Sequence, residues 1–271
     1  TERMPRRLPD VYLRFAEALQ AEDYVLTFNY DVLLETALEK VGKPYRLFPS
    51  RYKSVDRRAA IVDDTRQEAI VIKLHGSVDW FSRTEYRQLE EDRIAQGFQT
   101  SHDDLVFGPK SDIRTAPLVD GPRFENDPLK DIYRVVNPER LYSKPLLFLA
   151  TPVLLNPSSA KIVYAHQLED FWWGLGQVGV LNFGMAVIGF SMPLQDEYAR
   201  QVIYRLATNY QNHYWGEKAL EHQKTPLLLV DLKKSAEEIS ALESRYAFLD
   251  RARTVTYFGG FNEHAVEMFR S

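Results

Sequence analysis

Apolar residues recur along the chain in short, nearly continuous runs of five to seven positions. Most of these runs are rich in Val, Ile, Leu and Phe without regular polar alternation, which is typical of parallel strands covered on both faces. The pattern therefore predicts strands at residues 24–28, 69–74, 145–150, 185–190, 226–232 and 254–258.

Segments with apolar residues at helical spacing separate most of these runs. Pro9 or Asp10 suits the start of the first helix, and Ser235 followed by Glu238 resembles a capping box. The predicted helices span residues 9–20, 30–41, 164–180, 194–210, 235–249 and 261–270. The alternation predicts an α/β fold, a Rossmann-like, doubly wound, mostly parallel sheet with helices on both faces.

Residues 82–143 interrupt this alternation with a polar stretch that carries scattered Pro and aromatic residues. A long connection without secondary structure is uncommon, so we expect short helices within it. We interpret it as an inserted polar or helical lobe within a single domain of residues 1–271. It suits a surface excursion and a lid over a site equally well.

Polar residues follow four of the predicted strands at the carboxyl end, where open parallel sheets bind ligands. They are Thr27, Asn29 and Asp31; His75, Gly76 and Ser77; Gly189, Ser191 and Asp196; and Asp231. One polar strand end would carry little information, but four at the same edge predict a binding crevice.

Each of these residues also has a purely structural interpretation. Asn29 and Asp31 suit the cap of the following helix, Asp231 suits a cap, and Ser191 suits a turn residue. His75 suits a hydrogen-bonded histidine of the core. The neighbouring Gly76 allows another backbone or a ligand to approach closely, and imidazole is well suited to proton transfer near neutral pH.

Composition and motifs exclude several other chemistries. The chain has 271 residues, no cysteine and a formal net charge of −4, so Cys-ligated metal sites and binding to nucleic acid through bulk positive charge are excluded. The six histidines lack metal-ligand spacing, and G-F-S-M-P lacks the second glycine of a nucleophile elbow. No apolar run reaches the length of a membrane span. We expect a cytoplasmic protein without a metal.

The stretches T-F-N-Y-D, K-L-H-G-S-V-D-W and G-F-S-M-P-L-Q-D-E, in this order, resemble motifs of the sirtuin-like NAD-consuming family. The resemblance extends from about residue 8 to 269. It is closest to the bacterial branch of NAD-hydrolysing, defence-associated proteins, which favour T-x-N-Y-D, K-L-H-G-S and G-[YF]-S-x-P-x-D.

The resemblance implies a role for each motif residue. Asn29 would hold the nicotinamide ribose or the attacking water, Asp31 the carboxamide side of the pocket, and His75 would be the general base. The remaining residues would contact NAD, with Gly189 and Ser191 at the phosphates or adenosine ribose and Asp231 at ribose hydroxyls. Thr27, Phe28 and Gly76 complete this cofactor-binding set.

Two departures from the family refine these expectations. Sirtuin deacylases carry a four-Cys zinc ribbon and have Gln where Phe28 stands, which favours NAD hydrolysis over deacylation here. The sequence has no match to the family's N-terminal glycine-rich strand and loop, because the first glycine is Gly42, after T-F-N-Y-D. Since the chain starts without Met, we expect that this element was cut away or left out.

The resulting hypothesis is an NAD glycohydrolase that acts as an effector in bacterial antiphage defence, with Asn29 and His75 central. One alternative is a non-catalytic sensor or scaffold that binds NAD or ADP-ribose. Another is a zinc-free protein deacylase, which would require an acyl-lysine peptide. The expected partners are NAD and a homo-oligomer or a defence-system protein, without membrane or direct nucleic-acid binding.

Overall fold

The computed structural model describes residues 8–48, 50–98, 109, 111–143, 152–154, 180–215 and 224–269. The chain divides into two compact units, a first unit of residues 19–156 and a second unit of residues 1–18 and 157–271. The predicted strand at 145–150 and the predicted helix at 164–180, up to residue 179, lie outside the described residues.

The elements are numbered along the chain, which begins with helix α1 (Asp10–Ala18) of the second unit. The first unit contains β1 (Tyr24–Thr27), α2 (Leu33–Val41), β2 (Tyr45–Arg46), β3 (Tyr52–Val55), β4 (Ala60–Val62), β5 (Ala69–Lys73), β6 (Gly76–Ser82), α3 (Arg83–Ala95), β7 (Thr115–Pro117), a 3-10 turn (Pro128–Asp131), β8 (Ile132–Val135), α4 (Pro138–Tyr142) and β9 (Pro152–Leu154).

A parallel sheet with the strand order β1-β5-β2 positions the first two motifs. Its central strand β5 is buried at every position, as its nearly continuous apolar sequence predicts. Strands β1 and β5 pair from Tyr24 opposite Ile70 to Thr27 opposite Lys73. The two polar strand ends of the N-Y-D and H-G-S motifs therefore lie side by side.

An antiparallel sheet with the order β7-β8-β6-β9 also belongs to the first unit. Strand β6 begins directly after the turn at Leu74 and His75, and its residues are almost all buried. Within residues 82–143, the structure contains the expected helices α3 and α4 and, in addition, strands β7 and β8 of this sheet. These strands are only three and four residues long, too short to give a clear pattern. The single-domain boundaries and the lid stay predictions.

The second unit contains a parallel sheet with the order β10-β11-β12. Besides α1, its elements are β10 (Ala186–Ile188), α5 (Glu197–Asn212), β11 (Leu227–Val230), α6 (Ala236–Arg245), a 3-10 turn (Arg251–Arg253), β12 (Thr254–Tyr257) and α7 (Glu263–Met268). The central strand β11 is fully buried. Helix α6 begins with the predicted capping box of Ser235 and Glu238.

The described chain is thus a mixed α/β structure with both parallel and antiparallel sheets. Helices were predicted at 30–41 and 194–210 but begin at Leu33 and Glu197. In both places the residues before the helix form a polar turn: Asp31 accepts from the Leu33 amide, and Asp196 caps α5. A doubly wound sheet stays a prediction.

Gly76 offers a direct test of how closely β9 packs against the start of β6. Its φ is +78°, and a Cβ there would lie 1.9 Å from the carbonyl oxygen of Val153 in β9. We expect Gly76→Ala to lower the free energy of unfolding by about 3 kcal/mol or more, because strain and overlap with a backbone atom add together. Urea denaturation followed by circular dichroism measures this loss.

Gly42→Ala is the matched control for Gly76→Ala. Gly42 has a similar φ of +69°, but no atom lies within 4 Å of a Cβ at that position. Only the strain remains, so the expected loss is about 1 to 2 kcal/mol. Equal losses in the two variants would contradict the close approach of β9.

Candidate functional site

The N-Y-D turn between β1 and α2 has its backbone held by the segment that follows the neighbouring strand. The Leu74 amide donates to Thr27 O at 2.9 Å, and the Val78 amide donates to Tyr30 O at 3.0 Å. The Lys73 ammonium donates to the carbonyl oxygen of Asp31. Three backbone carbonyls of the turn are thus satisfied inside the protein, as buried carbonyl groups require.

The side chains of Asn29 and Asp31 are exposed beside this held backbone. The Asn29 amide donates to Thr27 Oγ1 at 3.1 Å, so Thr27 helps to shape the turn. Asp31 Oδ1 accepts from the Leu33 amide at 3.0 Å, which satisfies one of the free N–H groups at the start of α2. Asp31 therefore has the structural role that was expected at the start of the following helix. Among the described contacts, its second carboxylate oxygen makes no hydrogen bond.

His75 packs against two aromatic rings of the neighbouring motif. Its ring centroid is 5.1 Å from that of Phe28 and 5.9 Å from that of Tyr30, and the residue is only 4% exposed. The first two motifs are therefore in contact. The next residue, Gly76, makes a backbone approach possible, and the group that approaches is Val153 of β9.

A buried network behind the turn connects it to the antiparallel sheet. The Ser77 hydroxyl donates to Asp79 and lies 3.2 Å from Tyr30 O. Asp79 Oδ2 accepts from Arg134 Nε of β8 at 2.9 Å. Arg134 also donates to the hydroxyl of Tyr45, at 2.7 Å. Burial raises the pKa of that Tyr45 phenol, although the nearby Arg134 opposes the shift.

A second buried ion pair also contacts the turn. Lys73 Nζ is 2.9 Å from Glu35 Oε1 of α2. Burial raises the pKa of the Glu35 carboxyl, while the Lys73 ammonium pulls it back toward its ordinary value. Sequence reasoning missed Lys73, Glu35 and Arg134 as parts of the site, although charged residues inside the apolar runs A-I-V-I-K-L and I-Y-R-V were a usable signal.

The third motif lies in the second unit, after strand β10. Gly189 has φ +64°, and its amide donates to Val230 O at 2.8 Å. The next two carbonyls accept hydrogen bonds from the C-terminal end of α6. Tyr246 donates to Phe190 O at 2.5 Å, and Arg245 donates to Ser191 O at 2.8 Å. Burial, with the charge of Asp231 in addition, raises the pKa of Tyr246.

Asp231 and Asp196 occupy different environments in this unit. Asp196 is fully buried, and its Oδ1 accepts from the Ala199 amide at 3.2 Å as the N-cap of α5. Asp231 Oδ1 accepts from the Leu232 amide at 2.7 Å, and Oδ2 lies 3.3 Å from Lys233 Nζ. Because Ser235 caps α6, Asp231 is not the cap of that helix.

A shallow pocket of about 240 Å³ opens beside the Gly189–Ser191 loop in the second unit. Its lining includes Met192, Arg200, Tyr204, Arg245 and Phe248. None of the residues predicted for NAD binding lines this pocket.

Among the described residues, no group of three or more His, Asp or Glu could hold a metal ion. The helices in the same ranges include none that is long and apolar enough to cross a bilayer.

Comparison with known protein families gives a match that covers most of the first unit. The family model of the SIR2-like domain matches residues 23–150, nearly the span of that unit. The match supports a sirtuin-like family and an NAD-related function for this part of the chain. No curated protein matches the sequence. The assignments of Gly189, Ser191 and Asp231, outside the matched residues, stay predictions.

The contact between Asp79 and Arg134 can be tested by a double-mutant cycle. Asp79 is almost fully buried, so Asp79→Ala removes the buried carboxylate that Arg134 Nε contacts and should lower the free energy of unfolding by about 3 kcal/mol, although Arg134 keeps Tyr45 and Glu39. Combined with Arg134→Met, the coupling energy should be about 1 to 3 kcal/mol. Urea denaturation of the four proteins gives this value.

The exposed pair of Arg66 and Asp120 is the control for this cycle. Its atoms lie 3.7 Å apart, with both side chains more than half exposed. The same cycle there should give less than about 0.5 kcal/mol. A similarly small coupling for Asp79 and Arg134 would show that the network does not connect the turn to β8.

Proposed function

We propose that the chain is an NAD glycohydrolase, which splits NAD into nicotinamide and ADP-ribose. The observation that carries the proposal is the contact between the two motifs of the first unit. His75 packs against Phe28 and Tyr30, which precede and follow the exposed Asn29 in the sequence. The match to the SIR2-like domain supports NAD as the substrate.

The reaction needs three features around the nicotinamide ribose. The transition state has oxocarbenium-like character at C1′, so it requires oriented polar groups, a base and an apolar wall that limits the entry of water. In the proposal, Asn29 orients the ribose or the attacking water and Asp31 contacts the carboxamide side. Phe28 and Tyr30 supply the apolar wall.

His75 acts as the general base in this reaction. The attacking water gives a proton to the imidazole while its oxygen forms the bond to C1′. The electron pair of the N-glycosidic bond leaves with nicotinamide, which loses its positive charge and departs as a neutral molecule. Thr27 and Gly76 would contact the same part of NAD. The roles of Gly189, Ser191 and Asp231 in NAD binding stay expectations from the resemblance.

The low exposure of His75 favours one second candidate, a sensor that binds NAD or ADP-ribose without turning it over. A base that is nearly closed to solvent in this state would need a movement of the turn before water could reach it. Hydrolysis and sensing therefore differ in whether nicotinamide appears, and not in whether NAD binds.

The proposed biological role is that of an effector in bacterial antiphage defence, which depletes NAD in the infected cell. This role rests on resemblance alone. The same resemblance suggests assembly into a homo-oligomer or with a protein of the defence system. A zinc-free deacylase would differ from both by requiring an acyl-lysine peptide together with NAD.

The test is to incubate the full chain with NAD, with and without an acetyl-lysine peptide, and to measure the released nicotinamide by chromatography. We expect release with NAD alone. His75→Ala and Asn29→Ala should each slow it by about 100-fold or more, the range for loss of a general base or of an oriented polar group.

His213→Ala is the control, because His213 is exposed and lies in the second unit, where its Nδ1 is 3.1 Å from Asn209 O. It should release nicotinamide at the wild-type rate. NAD binding measured by calorimetry without any release would favour the sensor. Release only in the presence of the peptide would favour the deacylase, and absence of both binding and release would contradict an NAD-related function.

A further inference from the structure

Lys73 is a charged residue at the end of an otherwise apolar, fully buried strand. Its side chain is 0% exposed, and that of its partner Glu35 is 2% exposed. The ammonium contacts Glu35 Oε1 at 2.9 Å and donates to the carbonyl oxygen of Asp31. The one side chain thus joins strand β5, helix α2 and the N-Y-D turn.

Stability alone does not explain a pair of this kind. Replacement of a buried ion pair by apolar residues of similar size is often neutral or stabilising, because the pair must give up its hydration. An apolar residue at position 73 would suit the neighbouring Ile and Val residues of β5. An ammonium group differs from an apolar side chain in one useful respect, since it donates several hydrogen bonds from one point.

The position of the Asp31 carbonyl makes this contact important for the site. Asp31 O lies one residue beyond Tyr30 O, which the Val78 amide holds at 3.0 Å. Lys73 precedes His75 by two residues and Val78 follows it by three. The segment that carries His75 therefore donates hydrogen bonds to two successive carbonyls of the turn that carries Asn29. The two donors, Lys73 and Val78, stand on either side of His75 in the sequence.

We propose that Lys73 is a positioning residue of the nicotinamide–ribose pocket, with Glu35 as its charge partner. Lys73 fixes the Asp31 carbonyl and thereby the orientation of Asn29 relative to His75. This inference rests on the proposed NAD hydrolysis for its catalytic consequence. Its structural part, the hold on the turn, can be measured without any substrate.

A buried ion pair elsewhere in the first unit serves as a matched control. Arg51 contacts Glu68 and Asp63, and the Arg51 and Glu68 side chains are only 4% and 5% exposed. Among the described contacts, this pair does not reach residues 28–34. The variants to compare are Lys73→Met with Glu35→Met and Arg51→Met with Glu68→Met, each of which replaces both charges of a pair by uncharged, unbranched side chains.

Two measurements are made on the full chain of each double variant. Amide hydrogen exchange of residues 28–34 reports on the turn, and nicotinamide release from NAD reports on kcat and KM. For the Lys73 variant we expect exchange to be about tenfold faster or more, the effect of losing a hydrogen bond from a charged donor. Its kcat should fall by about tenfold or more while KM changes by less than about threefold, because the ribose pocket is misaligned in the transition state.

The control variant should keep wild-type exchange at residues 28–34 and wild-type kcat. Unchanged exchange in the Lys73 variant would overturn the inference, as would faster exchange with an unchanged kcat. If the wild-type chain releases no nicotinamide, the proposed hydrolysis is wrong, and the exchange comparison alone decides whether Lys73 holds the turn. Should the Met double variant fail to fold, Lys73→Gln with Glu35→Gln keeps a neutral, hydrogen-bonding pair whose shorter side chain withdraws from Asp31 O, and the same results are expected.

Discussion

The first unit depends on how the carbonyl groups of a strand end are satisfied when the strand stops and a helix has not yet begun. After Thr27 the backbone leaves the sheet, and its carbonyls can no longer pair with strand β5 in the regular ladder. Donors from residues 73–78 replace that ladder. The Leu74 and Val78 amides donate to the carbonyls of Thr27 and Tyr30, and the Lys73 ammonium donates to the carbonyl of Asp31. These carbonyls are therefore satisfied without the side chains of Asn29 or Asp31, and both side chains stay exposed.

The second unit applies the same principle with different donors. The loop after β10 gives its Phe190 and Ser191 carbonyls to Tyr246 and Arg245, which lie at the end of helix α6. In both loops, long side chains from a different segment fix the backbone. Such an arrangement provides rigid positions for the functional groups of a site, which is what preorganised binding requires.

Much of this could be predicted from the sequence, since buried parallel strands such as β5 and β11 announce themselves by continuous apolar residues. The polar residues after Thr27 and Lys73 were expected to meet, and the parallel register brings them together. The antiparallel sheet was missed because β7, β8 and β9 are short, and because β8 and β9 pair with β6 across long stretches of sequence. The buried contacts of Lys73, Glu35 and Arg134 were missed for a related reason: each charge becomes acceptable only through a partner that is distant in the chain.

The close approach of β9 to Gly76 has a consequence for the order in which the molecule assembles. Gly76 pairs with Leu154, almost at the far end of the first unit. Closing so long a loop costs chain entropy before any contact repays it, so pairings of this kind tend to form late. During synthesis, the neighbour of His75 gains its final partner only after nearly the whole unit has left the ribosome. We therefore expect the imidazole to reach its finished surroundings late in folding.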